Sequence, residues 1–147
     1  MCLMLYMATL HEPPRIETPQ LRTEDVDPRR TAVRQWFSLP VVTFVGAHTG
    51  CSCGFPSFGA DQPFEFYEGI FDGRDEREAD LASLRALLDL LRSLDGDVQL
   101  YAVWDGEEGE PPKGSLDLDP DAVDPARFFF IERFLYRATR AGVVARR

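Results

Sequence analysis

Three stretches of the chain carry the hydrophobic pattern of buried strands. Residues 2–8 are apolar on both alternating faces, which predicts a central strand covered on both sides of its sheet. Residues 41–47 are rich in β-branched side chains and residues 98–104 are nearly apolar throughout, so each predicts a further strand. Weaker alternation predicts a half-exposed strand near Phe64, Phe66 and Ile70, and a short edge strand at Leu116 and Leu118.

Two helices are predicted between these strands. Asp27 followed by Pro28 is typical of a helix start, and apolar residues at helical spacing predict a short helix over about 28–37. A leucine stripe predicts a longer helix over about 75–95, with Asp75 and Glu78 as a capping box and Gly96 as its stop. Residues 11–27 are polar and contain three prolines, which predicts a connecting loop.

The end of the chain carries conflicting signals. An Asp–Pro pair at 124–125 and a glycine at 142 are typical of helix ends, whereas the residues between them are rich in aromatic and β-branched side chains. We predict a strand here, because four aromatic side chains share one face at a spacing of two: Phe128, Phe130, Phe134 and Tyr136. The last residues, about 137–147, are basic and could be disordered.

The order of these elements predicts an α+β fold. Several strands with two intervening helices, and no regular β-α-β-α alternation, indicate an antiparallel or mixed sheet with about two helices packed on it. The length of 147 residues suits a single domain that spans the chain, 1–147.

Charge and composition exclude several classes of partner. The formal charge of −9 repels phosphate groups, so we expect no nucleic-acid binding. The apolar start of the chain is too short to span a membrane and lacks the flanking signals of an export peptide, so we expect a cytoplasmic protein with no membrane partner. An odd number of cysteines argues against a disulfide framework. A protein partner or a homo-oligomer stays open.

Candidate chemistry is concentrated directly after the second apolar strand. Residues 46–55 read Gly-Ala-His-Thr-Gly-Cys-Ser-Cys-Gly-Phe and hold two of the three cysteines and one of the two histidines. Thiol and imidazole groups are ligands of soft and borderline metals, and glycines allow the tight backbone turns that bring such groups together. His48, Cys51 and Cys53 therefore form a candidate metal site; zinc, which prefers four ligands, is the cofactor we consider.

The fourth ligand depends on the direction of the first two strands. If they pair antiparallel, the start of the first strand lies beside the end of the second, and Cys2 approaches the motif. If they are parallel, the ends of both strands lie together and His11 is the candidate.

Two other interpretations compete with a metal site. Thiol redox or nucleophilic chemistry lacks its usual supports, because no arginine or lysine occurs between Gln35 and Gly73 and the Cys-x-x-Cys spacing is missing. Alternatively, the protein is a non-enzymatic interaction or regulatory domain in which Cys51 and Cys53 are structural and the glycines only shape a turn. The sequence names no reaction, so whether the protein is an enzyme stays open.

Two stretches carry a resemblance to a known family. The start, Met-Cys-Leu-Met-Leu-Tyr-Met-Ala, and the motif Gly-x-His-x-Gly-Cys-x-Cys-Gly-Phe together resemble a small bacterial family of uncharacterised domains. No activity is assigned to that family. The resemblance therefore directs attention to Cys51 and Cys53 and implies nothing about a reaction.

Overall fold

The computed structural model describes residues 2–58, 73 and 75–138. Its strands are β1 (Leu3–Thr9), β2 (Arg22–Asp25), β3 (Val41–Gly46), β4 (Ser57–Phe58), β5 (Val98–Trp104), β6 (Gly114–Leu118), β7 (Phe130–Ile131) and β8 (Phe134–Ala138). Six of them form one sheet in the order β2-β3-β1-β5-β8-β6, while β4 and β7 form a separate parallel pair. Only β6 and β8 are parallel within the large sheet. The predicted α+β class with a mixed sheet is confirmed.

Helices cover both faces of this sheet, which explains the unusual pattern of β1. Leu5 and Met7 point to the leucines of helix α1 (Arg77–Ser93), whereas Tyr6 packs on the other face with Val33 of the 3₁₀ helix Pro28–Trp36. All three β1 side chains are at most 1% exposed. The prediction of a central strand buried on both sides is confirmed, because β1 lies between β3 and β5.

The register fixes which ends of the strands meet. Leu5 of β1 is opposite Val45 of β3 on one side and Ala102 of β5 on the other, and both pairings are antiparallel. The first residues of β1 therefore lie beside the last residues of β3 and β5, at the same end of the sheet. This is the arrangement in which Cys2 approaches the glycine- and cysteine-containing motif.

The structure confirms the two helices and corrects one cap. Asp27 caps the first helix as predicted, accepting a hydrogen bond from the Arg29 backbone N–H at 2.9 Å, although this helix has 3₁₀ geometry. The capping box at Asp75 and Glu78 is wrong. The residue at the N-cap of α1 is Glu76, one residue after Asp75, so Asp75 cannot cap the helix. The Glu76 side chain makes no capping hydrogen bond.

The polar segment 11–27 was expected to be a loop, and this prediction is wrong for β2. That edge strand pairs with β3 through its backbone, from Arg22 opposite Gly46 to Asp25 opposite Thr43. All four of its side chains are polar, so the alternation of apolar residues that marks a half-buried strand is missing.

The aromatic end of the chain forms strands, as predicted, but in two pieces. A turn separates β7 from β8, and Arg133 in this turn has a φ of +65°. Phe130 packs edge to face against Phe128 and Tyr136, with ring centroids 4.9 and 5.3 Å apart. The edge strand predicted at Leu116 and Leu118 is confirmed as β6.

Two further predictions fall on parts of the chain that the structure does not describe. The half-exposed strand near residues 64–70 lies outside the described residues. So does most of the basic tail, although its first two residues, Arg137 and Ala138, belong to β8. Within the described ranges, no helix combines the length and the apolar character that crossing a membrane requires.

Candidate metal centre

The candidate centre forms where β3 parts from β1. Their pairing ends at Leu5 and Val45, and the side chain of Ser52 is inserted at this point. The Ser52 hydroxyl accepts the Leu5 N–H at 2.7 Å and donates to the Val45 carbonyl at 2.6 Å. Because one hydroxyl can both donate and accept, Ser52 satisfies two backbone groups that the strands leave unpaired. The short 3₁₀ helix Ser52–Gly54 is thereby held against the start of β1.

A tight turn over residues 47–51 connects β3 to this short helix. Hydrogen bonds from Gly50 N–H to the Ala47 carbonyl and from Ala47 N–H to the Cys51 carbonyl, both 2.9 Å, close the turn. Gly50 has a φ of +85°, a conformation that favours glycine. The Thr49 hydroxyl accepts the Gly54 N–H at 3.1 Å and donates to the Cys51 carbonyl at 2.8 Å. These bonds fix the backbone on either side of both cysteines.

The structure brings the three cysteines together. The sulfurs of Cys2, Cys51 and Cys53 all lie within 4.8 Å of one another, and each cysteine is half-buried and free of a disulfide. The Leu3 N–H donates to the Cys53 sulfur at 3.2 Å, and the Asp105 N–H donates to the Cys2 carbonyl at 2.8 Å. Sulfurs around one ion at the usual metal–sulfur distance of about 2.3 Å lie up to about 4 Å apart. The group can therefore hold an ion after small side-chain movements.

The neighbouring groups shift the pKa values of two of these thiols in opposite directions. Burial disfavours the Cys51 thiolate, but contacts with the Cys53 backbone N–H, the Thr49 hydroxyl and the other two thiols outweigh it, and the Cys51 pKa is lowered. Burial raises the pKa of Cys53 to about 11, and the nearby Cys51 and Cys2 sulfurs add to the increase, while the Leu3 N–H opposes it. In the metal-free protein, Cys51 therefore loses its proton at a lower pH than Cys53 does.

The structure places His48 in a different group. Its Nε2 lies 2.8 Å from Asp80 Oδ1, and its backbone N–H donates to the Ser83 hydroxyl at 3.0 Å. The side chains of His48, Glu76 and Asp80 form a second group whose potential ligand atoms lie within 4.8 Å of one another. Glu76 and Asp80 are at the start of α1, where the helix dipole favours anions and disfavours a bound cation. We therefore interpret the His48–Asp80 pair as the anchor that ties the motif to α1.

The backbone of Gly54 lies against the His48 ring and the Ala47 side chain. A Cβ atom at this position would lie 2.8 Å from His48 Cδ2 and 2.8 Å from the Ala47 side chain, closer than real contacts allow. Since Gly54 directly follows Cys53, its lack of a side chain lets the cysteine-bearing turn pack on the anchored imidazole.

His11 lies at the opposite end of the sheet from the cysteines. It follows Thr9, which is opposite Val41 at the start of β3, whereas the motif follows the end of β3. The imidazole is part of an exposed residue, and the His11 carbonyl accepts a hydrogen bond from Thr9. Of the two arrangements considered from the sequence, the structure has the antiparallel one, with Cys2 beside the motif.

Three residues that support the centre were missed by the sequence analysis: Ser52, Asp80 and Ser83. Ser52 and Ser83 are 0% exposed and Asp80 is 2% exposed. Asp80 and Ser83 lie on the leucine face of α1, because Asp80 is four residues before Leu84 and Ser83 is four residues before Leu87. Polar residues in an apolar helical stripe are the signal that could have found them. Ser52 had no such signal.

Comparisons with known proteins do not identify a relative. The chain matches no protein-family model, no curated protein and no solved structure. The resemblance to an uncharacterised bacterial family stays a prediction.

Proposed function

We propose that the protein binds one thiophilic metal ion through Cys2, Cys51 and Cys53, with zinc and monovalent copper as the ions that suit these donors. The observation that carries this proposal is the convergence of the Cys2 thiol with those of Cys51 and Cys53, about fifty residues further along the chain, within 4.8 Å of one another. Thiolates are strong ligands for both ions.

The way in which the thiols are held supports a binding site. Cys2 lies beside the end of β5 through its bond to Asp105, and Cys53 is held beside the start of β1 by the Leu3 N–H. Cys51 and Cys53 are fixed by the turn that Ser52 and Gly50 shape. Rigid placement of ligands before the metal arrives reduces the ordering that binding requires.

His48 and His11 are outside the ligand set that we propose. The imidazole of His48 is bonded to the buried Asp80, whose side chain is only 3% exposed, and His11 lies at the far end of β1. A reducing compartment, which we take to be the cytoplasm, would keep the three thiols available for binding.

Metal stoichiometry tests the proposal. Reduced protein is dialysed against zinc without chelators, and the bound metal is measured by elemental analysis. We expect one zinc ion per chain for the wild type, and loss of binding for Cys2→Ser, Cys51→Ser and Cys53→Ser. His11→Asn and His48→Asn are matched controls and should retain the metal.

Two outcomes would contradict this proposal. Zinc binding that survives each cysteine substitution would place the metal elsewhere. Failure of the reduced wild type to bind zinc or monovalent copper would leave the cysteines with a packing role, in a domain that acts through other surfaces.

A further inference from the structure

We propose that the cysteine centre is a three-sulfur site for monovalent copper, an inference that rests on the proposed metal-binding function. Zinc and monovalent copper both bind thiolates, but they differ in the number and kind of ligands that complete their coordination. The sulfur-only donor set of Cys2, Cys51 and Cys53 suits copper, and the number of these donors favours copper over zinc.

The kind of donor is the first argument. Within the described part of the chain, the group that contains these cysteines has sulfur donors only, while the imidazole and the carboxylates near the motif form the separate His48 group. Thiolates are soft ligands, and an all-thiolate set selects soft ions such as monovalent copper. Zinc also binds all-thiolate sets, so the kind of donor excludes hard ions such as magnesium and calcium, and the number of donors decides between copper and zinc.

The number of donors is the second argument. Three thiolates complete a trigonal shell around monovalent copper, whereas zinc in structural sites is almost always four-coordinate. The nearest histidine in sequence, His48, is held by Asp80 Oδ1 at 2.8 Å and by the Ser83 hydroxyl at 3.0 Å through its backbone. His48 is grouped with Glu76 and Asp80 and not with the three sulfurs, so recruiting this imidazole as a fourth ligand would require it to move from its present position.

The surroundings of the sulfurs are the third argument. Cys53 packs against the hydrophobic core cluster, and its sulfur accepts the Leu3 N–H at 3.2 Å. The apolar side chains on that side of Cys53 offer zinc no oxygen or nitrogen atom as a fourth ligand. Copper binding at this site releases one proton for each thiolate that forms, and neither copper nor sulfur changes its oxidation state.

The test combines affinity and coordination. Reduced, metal-free protein is titrated anaerobically with monovalent copper in competition with bicinchoninate, a coloured chelator of this ion. X-ray absorption at the copper edge then counts the ligands. We expect one copper per chain, with three sulfur ligands and no nitrogen. Substitution of a residue that only supports a metal ligand typically lowers metal affinity by roughly 10–100-fold. Each Cys→Ser variant removes a ligand itself, so its copper affinity should fall by more than this.

Two controls keep the test decisive. His11→Asn, at the far end of β1, should bind copper as tightly as the wild type, and His48→Asn should leave the ligand count at three sulfurs, because we place its imidazole outside the coordination shell. Circular dichroism identifies any cysteine variant that fails to fold. In that event the ligand count in the wild-type protein decides the question.

The outcomes separate this inference from the proposed function. Copper bound by two sulfurs, or by sulfur together with a histidine nitrogen, would overturn the three-sulfur site and leave metal binding intact. A wild-type protein that binds zinc with cysteine dependence but cannot compete with bicinchoninate for copper would do the same. Binding of neither metal would overturn both.

Discussion

The Ser52 hydroxyl lies between the Leu5 N–H and the Val45 carbonyl, 2.7 and 2.6 Å away, where the pairing of β1 and β3 ends. The Ser52 side chain thus takes the place of backbone hydrogen bonds between β1 and β3. It also positions the short helix that carries Cys53, so the fold and the candidate metal centre depend on the same two hydrogen bonds.

Replacing this hydroxyl should weaken both the fold and the site. Ser52→Ala leaves two buried backbone groups without partners, and we expect it to lower the free energy of unfolding by about 1–3 kcal/mol for each group. Urea denaturation measures this loss, and zinc titration should show weaker binding in the same variant. Ser115→Ala, at an exposed position of β6, is the control and should change stability by less than about 0.5 kcal/mol. Equal stabilities of the two variants would refute the role given to Ser52.

A side chain at Gly54 should displace the cysteines from the anchored imidazole. The added Cβ of Gly54→Ala would lie 2.8 Å from both His48 Cδ2 and the Ala47 side chain, so the turn must shift. We expect a loss of about 1–3 kcal/mol in stability and weaker metal binding. The matched control is Gly109→Ala, whose new Cβ would have its nearest neighbour at 3.9 Å. Unchanged metal affinity in Gly54→Ala would show that the turn tolerates the shift.

The His48–Asp80 pair should contribute to stability far more than to metal binding. Asp80→Asn removes the charge from a hydrogen bond at a side chain that is 3% exposed, and we expect a loss of about 1.5–3 kcal/mol in unfolding experiments. Asp89→Asn, on the exposed side of the same helix, should cost about 0.5 kcal/mol or less. If Asp80→Asn weakened metal binding as much as Cys51→Ser, His48 would belong to the coordination shell after all.

The two motif cysteines should differ in reactivity in the metal-free protein. Alkylating reagents attack the thiolate, so a lowered pKa allows reaction at lower pH and a raised pKa delays it. We expect iodoacetamide to modify Cys51 at a lower pH than an ordinary cysteine, because its pKa is lowered, and to modify Cys53 fully only as the pH approaches its raised pKa of about 11. Initial labelling rates at each cysteine, followed by mass spectrometry across a pH series, measure this order. Faster labelling of Cys53 near neutral pH would contradict it.

Much of the fold could be predicted because the spacing of apolar residues along the chain indicates which faces of a strand or helix are buried. The two apolar faces of residues 2–8 identified β1 as a central strand, and the leucine stripe identified α1. The strand β2 escaped detection because an edge strand can pair through its backbone while its side chains stay polar. The direction of β1 relative to β3 also stayed open, since it depends on contacts between residues far apart in sequence.

The candidate site was predictable in composition and less so in geometry. Cys51 and Cys53 were singled out by their spacing, and Cys2 followed once the strand direction was known. His48 lies close to them in sequence, but the turn at Gly50 and the bonds to Asp80 and Ser83 place it against α1. Spacing along the chain does not show which partner a side chain meets across the fold.

The central claim is that Cys2, Cys51 and Cys53 bind the same ion. Labelling of each cysteine with N-ethylmaleimide, measured by mass spectrometry while zinc is added in steps, tests it most directly. The sulfurs lie within 4.8 Å of one another, so we expect all three thiols to be protected together and fully at one equivalent of zinc. Protection of Cys51 and Cys53 while Cys2 stays reactive, or no protection of any of them with zinc or with monovalent copper, would contradict the claim.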